Sequence, residues 1–170
     1  MEEIISTYEL NKKMDSLALK IHHQYLFDNT DLVFVGILNG AFMFFSDLVK
    51  KIKLPMEIDF VRVKSYEGQN RKEIKFIKDL EVNIKGKHIY LVDDIIDSGH
   101  TIKFLKDKFL ERGAIHVTPV AAILKENLVI SEALCILKYP QDSPWFVGYG
   151  MDHEDGTCRN IETILELDNN

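Results

Sequence analysis

The sequence predicts an α/β fold, a mostly parallel sheet flanked by helices. Three observations lead there. "LVFVGIL" (32–38), "HIYLVD" (88–93) and "HVTPVAAIL" (116–124) are continuous apolar runs of strand length, the pattern of strands covered on both faces. Segments of helical periodicity separate them. Strand, helix, strand, helix, strand is the order that builds a parallel sheet with helices on its faces.

Each element has its own signal. Leu10, Met14, Leu17, Ile21 and Tyr25 recur near helical spacing and predict a helix over 7–27. "DNTD" then turns the chain into the strand at 32–38, which "NG" ends. "AFMFFSDLVKKI" suits a short helix closed by "KLP". "MEIDFVRVKSY" alternates apolar and polar residues as strands do. "EGQNRKE" (67–73) is polar and aperiodic and is expected to be a mobile loop, with "KFIKDLEVNIKGK" a hairpin-like approach to the strand at 88–93. In "TIKFLKDKFLERGA", Ile102, Leu105 and Phe109 share one helical face, and Gly113 stops the helix. "WFVGYG" (145–150) reads as a further strand.

Composition bounds the class. At 170 residues the chain is expected to be a single domain, 1–170. Lys and Arg number 21 against 27 Asp and Glu, a net charge of −6, which argues against a general nucleic-acid binder. Cys135 and Cys158 form no CxxC pair, and the six histidines show no metal-ligand spacing. "MEEIISTYEL" has neither the basic nor the apolar region of a secretory signal, and no apolar run is long enough for a membrane span. A cytoplasmic protein without a membrane partner is expected.

The chemistry concentrates in "YLVDDIIDSGHT" (90–101). Three carboxylates, Asp93, Asp94 and Asp97, end a strand that otherwise reads as buried. Burying carboxylates without partners is costly. In open parallel sheets, however, ligands bind outside the carboxyl ends of the strands, so these acids are expected to line a crevice. Asp97, Ser98, Gly99, His100 and Thr101 join the strand to the first turn of a helix. Free N–H groups and the helix dipole make an anion site there. Gly99 allows close backbone approach, and Ser98 and Thr101 add hydroxyl donors. Phosphate beside carboxylate suits a sugar phosphate.

"VDDIIDSGHT" also resembles the phosphoribosyl diphosphate (PRPP) signature of the purine phosphoribosyltransferases, in the form found in the hypoxanthine-guanine branch. "GILNGAFMFFSDL" is similar to that family's diphosphate loop, "KSYEG" to its mobile loop, "ILKEN" to the strand ending in a purine-contacting Lys, and "WFVGYGMD" with Arg159 to its C-terminal purine and metal segment. The resemblance implies the type I phosphoribosyltransferase fold, with a small hood from the N- and C-terminal segments. It implies a reaction in which a 6-oxopurine attacks C1 of PRPP to give IMP or GMP and diphosphate. It also assigns roles. Asp97 is the general acid/base near purine N7. Asp93 and Asp94 take the ribose hydroxyls, directly or through Mg²⁺. Ser98, Gly99, His100 and Thr101 hold the 5′-phosphate. The backbone of Leu38, Asn39 and Gly40, together with Arg159, meets the diphosphate. Lys125, Trp145 and Phe146 bind the purine, Asp152 is a further Mg²⁺ ligand, and Ser65 and Tyr66 ride on a lid.

Several positions depart from the family pattern. Asn39 stands where Lys or Arg is common, His100 replaces a frequent Lys or Asn, Val129 a basic residue, His153 a Tyr, and "CRNIETIL" differs from the usual tail. These predict a weaker hold on PRPP with proton transfer intact. The expected partners are the purine base and PRPP, in a homodimer or homotetramer. The same fold also serves nucleotide-sensing regulators that bind RNA, a second reading that the net charge of −6 disfavours.

Overall fold

The computed structural model describes residues 1–67, 72–126, 128, 130, 132–140, 142 and 145–167. Val129, one of the departing positions, lies outside them. Two sheets are present among these residues. The larger has six strands: β2 (Leu32–Ile37), β3 (Glu57–Glu67), β4 (Lys72–Lys78), β5 (His88–Ile96), β6 (His116–Lys125) and β7 (Leu134–Tyr139). Their order is β4-β3-β2-β5-β6-β7. All neighbours are parallel except the antiparallel pair β3–β4. The smaller sheet joins β1 (Glu2–Ile5), β9 (Ile164–Glu166) and β8 (Phe146–Val147), antiparallel throughout. It is the hood expected from the two chain ends.

Both faces of the large sheet are covered, which explains the unbroken apolar runs. Phe34, Tyr90, Val92, Val120 and Ala122 pack on α1 (Thr7–Asp28) and α2 (Phe42–Lys51) through Leu10, Met14, Leu17, Ile21, Phe44 and Leu48. The alternate residues Val33, Val35, Leu91 and Ala121 pack on Ile102, Leu105 and Phe109 of α3 (His100–Glu111). The helix ends follow their sequence signals. Ser6 and Glu9 form a capping box at the start of α1. Beyond α3, Gly113 has φ +92° and donates its N–H to Leu110 O at 3.0 Å.

Two expectations need correction, and one strand was not expected. Ser65 and Tyr66, expected on a lid, end β3 as the alternation of "MEIDFVRVKSY" predicts, and of the loop expected at 67–73, Glu67, Lys72 and Glu73 are strand because β3 pairs with β4 through Glu67↔Lys72, while 68–71 lie outside the described residues. In "WFVGYG" only Phe146 and Val147 are strand, and they belong to the hood rather than to the large sheet. Residues 134–139, which carry no clear strand signal, form the edge strand β7.

Asp59 fastens the chain that follows β4. Its side chain accepts from the N–H groups of Glu81 (2.6 Å), Val82 (3.1 Å) and Phe60 (2.7 Å) and from Lys78 Nζ (3.1 Å). Burial opposes its ionisation, yet the bonds from Val82, Glu81, Phe60 and Lys78 hold its pKa below the ordinary 3.8. Asp59→Ala is expected to cost about 2–3 kcal/mol in denaturant unfolding at pH 7, because buried donors lose their acceptor. A carboxylate with a lowered folded pKa contributes stability above its unfolded pKa and loses it on acidification. The gap between wild type and Asp59→Ala should therefore be flat near neutrality and narrow as pH falls from about 4 through the lower folded value.

Candidate active site

Sheet order places the site. The chain leaves β2, runs to β3 on one side, and later returns to β5 on the other side of β2. Strand order reverses between β2 and β5, and the crevice at such a switch point is where ligands bind. The loops leaving these two strands carry Leu38-Asn39-Gly40 and Asp97-Ser98-Gly99.

Gly40 lies against the end of β5. A Cβ at Gly40 would fall 1.8 Å from Asp94 Oδ2. Asp94 also accepts from the Ile95 N–H at 2.9 Å, and Asp93 from the Asp94 N–H at 3.0 Å. Burial first, then the neighbouring Asp94 carboxylate, push the Asp93 carboxyl well above the ordinary carboxylate range. Two crowded carboxylates of this kind favour a nearby cation.

The loop after β5 has the geometry of an anion cradle. Ile96 is buried, while Asp97 and Ser98 are exposed. Gly99 takes the left-handed conformation at φ +73° as the N-cap of α3, with no side-chain cap bond to the helix. His100 Nδ1 lies 3.1 Å from Ser98 Oγ. A cleft of about 540 Å³ opens beside this loop, lined by Ser65, Ile74, Ser98, His100, Thr101 and Lys103 among others. Ser65 on β3 thus faces the cradle, although it is not on a loop. Lys103, one helical turn into α3, was not singled out from the sequence. Its place on the cleft follows from the helix phase set by Ile102 and Leu105 facing the core.

Lys125 ends β6, one residue past Leu124, which pairs with Ile96. It therefore ends its strand level with the start of the loop that Asp97 opens. Lys125 is 4% exposed, and its Nζ lies 5.3 Å from the Phe146 ring centroid. The hood supplies the far wall. Phe146 is buried edge-on against Tyr139. Trp145 is 59% exposed and donates its indole N–H to the Asp152 carbonyl at 2.9 Å. Asp152 and Arg159 meet each other, Nη2 to Oδ2 at 2.5 Å, and Arg159 Nη1 donates to Gly150 O at 2.7 Å.

Gly150 closes the arrangement, in a turn rather than in the strand expected over 145–150. It has φ +102°, and a Cβ there would come 2.0 Å from Gly40 O. The hood and the loop after β2 therefore touch backbone to backbone. The glycine in "GYG" was visible in the sequence, but its long-range partner was not. Tyr149, beside it, donates to Asp47 Oδ2 on α2 at 2.9 Å, and its hydroxyl pKa is raised by burial and then by the Asp47 charge. Among the described residues no three His, Cys, Asp or Glu side chains form a metal cluster, and no helix is long and apolar enough to cross a membrane.

An anion cradle, strand-end acids and a buried lysine gather at one switch point of the sheet. The phosphoribosyl transferase domain matches residues 2–147. The chain is 32% identical over 173 residues to the hypoxanthine-guanine phosphoribosyltransferase of Dictyostelium discoideum, covering 98% of this chain and 94% of that one. It is 32% identical over 164 residues to the enzyme of the same name from Bacillus subtilis, covering 95% and 89%. The crystal structure of a hypoxanthine-guanine phosphoribosyltransferase from Bacillus anthracis, with HEPES in its active site, superposes with TM-score 0.89 at 31% identity over 99% of each chain. The chain belongs to the phosphoribosyl transferase family.

Proposed function

We propose that this chain, as one domain over 1–170, is a purine salvage enzyme that makes IMP or GMP and diphosphate from hypoxanthine or guanine and PRPP. The observation that carries this reading is Lys125, buried at the end of β6 with its ammonium over the Phe146 ring, on the strand paired with the one that leads into Asp97. A buried ammonium there suits the 6-oxo acceptor of these bases, and adenine offers no acceptor at that position. The relatives in the comparison carry transferase names, and nothing found supports an RNA-binding regulator.

The chemistry distributes over the site as follows. The purine N9 forms a bond to C1 of the ribose as the bond from C1 to the diphosphate oxygen breaks. Asp97 accepts the proton released at N7, as a general base. The ribosyl centre develops oxocarbenium character, as in glycoside cleavage, so no protein nucleophile is needed. Ser98, Gly99, His100 and Thr101 hold the 5′-phosphate. The backbone of Leu38, Asn39 and Gly40, with Arg159, takes the diphosphate. Trp145 stacks on the base and the backbone of Phe146 reads its edge. Ser65 and Tyr66 act from a strand-borne lid. Asp93 and Asp94 fit Mg²⁺, a hard cation that commonly uses one or two carboxylates plus substrate phosphates. When bound, Mg²⁺ neutralises charge on the departing diphosphate. A cytoplasmic setting is in keeping with the free thiols Cys135 and Cys158. A dimer or tetramer is supported by Leu19, Leu26 and Phe27, which α1 leaves exposed.

Thermal stability with products tests the reading. IMP and GMP should raise the melting temperature, as ligands of the folded state do, and inosine, lacking the phosphate, should not. Equal stabilisation by AMP, or none by IMP, overturns it. Lys125→Met should raise KM for hypoxanthine by roughly 10–100-fold, the worth of a hydrogen bond to a charged donor. KM for PRPP should change little. Steady-state kinetics with each substrate varied in turn checks this.

A further inference from the structure

We infer that Asp152 is a positioning residue that acts through Arg159, fixing the guanidinium beside the Leu38–Gly40 loop before diphosphate is bound or released. The inference rests on the proposed reaction and adds to it a role for Asp152 other than holding metal. The loop Leu38-Asn39-Gly40 carries no charge of its own. Arg159 is held by two anchors, Asp152 Oδ2 at 2.5 Å and Gly150 O at 2.7 Å. The Gly150 N–H returns a bond to Arg159 O at 3.0 Å, and Gly150 itself lies against Gly40 O. The bonds to Asp152 and Gly150 use one donor from each terminal nitrogen. An arginine has five N–H donors, so the fork can be held in place and still present donors to an anion. A planar fork of this kind loses little conformational freedom on binding. The carbonyl of Asp152 is bonded to the Trp145 indole. One residue thus anchors both the cation for the diphosphate and the aromatic platform for the base.

The sign of one effect separates this role from its rivals. If Asp152 only contributed negative charge near the anion, Asp152→Asn would tighten binding of inorganic diphosphate. If Asp152 only held metal, binding measured in EDTA would not change. On the positioning account, calorimetry in EDTA shows diphosphate binding roughly tenfold weaker in Asp152→Asn, within what an ångström of misplacement costs. The same variant should change binding by less than about twofold when Arg159→Gln is already present, since the two residues act as one unit. KM for PRPP should rise in step. Arg159→Lys guards against a variant that fails to fold. It keeps the charge but cannot bridge both anchors, so it too should weaken diphosphate binding. Unchanged or tighter binding in Asp152→Asn, full additivity with Arg159→Gln, or wild-type binding by Arg159→Lys would each overturn the inference. The binding readout needs no turnover, so its failure and that of the reaction are read separately.

Discussion

Asp97→Asn lowers kcat for IMP formation by about a hundredfold or more, within the range that a positioned acid or base contributes, and leaves KM for both substrates within a few-fold. The residue stands in the exposed first position after the buried Ile96, at the end of β5 that opens into the crevice. Asn keeps the size and one hydrogen-bonding oxygen, but it cannot take a proton. The substitution therefore removes proton transfer and leaves the neighbouring cradle in place. Steady-state kinetics with each substrate varied in turn checks both features. A kcat within tenfold of wild type would mean that the leaving purine proton goes elsewhere, to water or to a group on the hood.

Gly40→Ala has the second large effect, and its cause is steric. The added methyl would fall 1.8 Å from Asp94 Oδ2 and 2.4 Å from Asp94 Cγ. The loop cannot retreat freely, because Gly150 already lies against Gly40 O. Either the Asp94 carboxylate or the loop must therefore move by more than an ångström. Misplacement on that scale can cost 10²-fold, so kcat/KM for PRPP is expected to fall by roughly a hundredfold. The melting temperature should fall by only a few degrees, since the strained contact lies at the crevice and not in the core. Steady-state kinetics and a thermal scan on one preparation check the pair of outcomes. A variant with near-normal kcat/KM would show that the contact between Gly40 and Asp94 has no part in binding.

Much of the fold was legible because burial on both faces leaves a plain trace. β2, β5 and β6 are apolar runs for that reason, and Ile102, Leu105 and Phe109 mark α3 by period alone. The hood strands β1, β8 and β9 span two to four residues each. That is too short for periodicity, and pairing Glu2 with Glu166 depends on where the chain ends meet in space. Ser65 and Tyr66 end a run whose alternation already reads as strand, whereas Glu67, Lys72 and Glu73, expected in a loop, are strand through the pairing of β3 with β4. Within the site, "DDIIDSGHT" was readable because one local segment contains both acids and cradle. The union of Asp152, Arg159, Gly150 and Gly40 was not, because it joins the loop after β2 to the hood.

The most direct test of the account is product stoichiometry. Purified protein is incubated with PRPP, Mg²⁺ and either hypoxanthine, guanine, xanthine or adenine, and nucleotide and diphosphate are quantified together. The account predicts IMP from hypoxanthine or GMP from guanine in equal amounts with diphosphate, and no AMP from adenine. AMP as the preferred product, or diphosphate released without nucleotide, would contradict it.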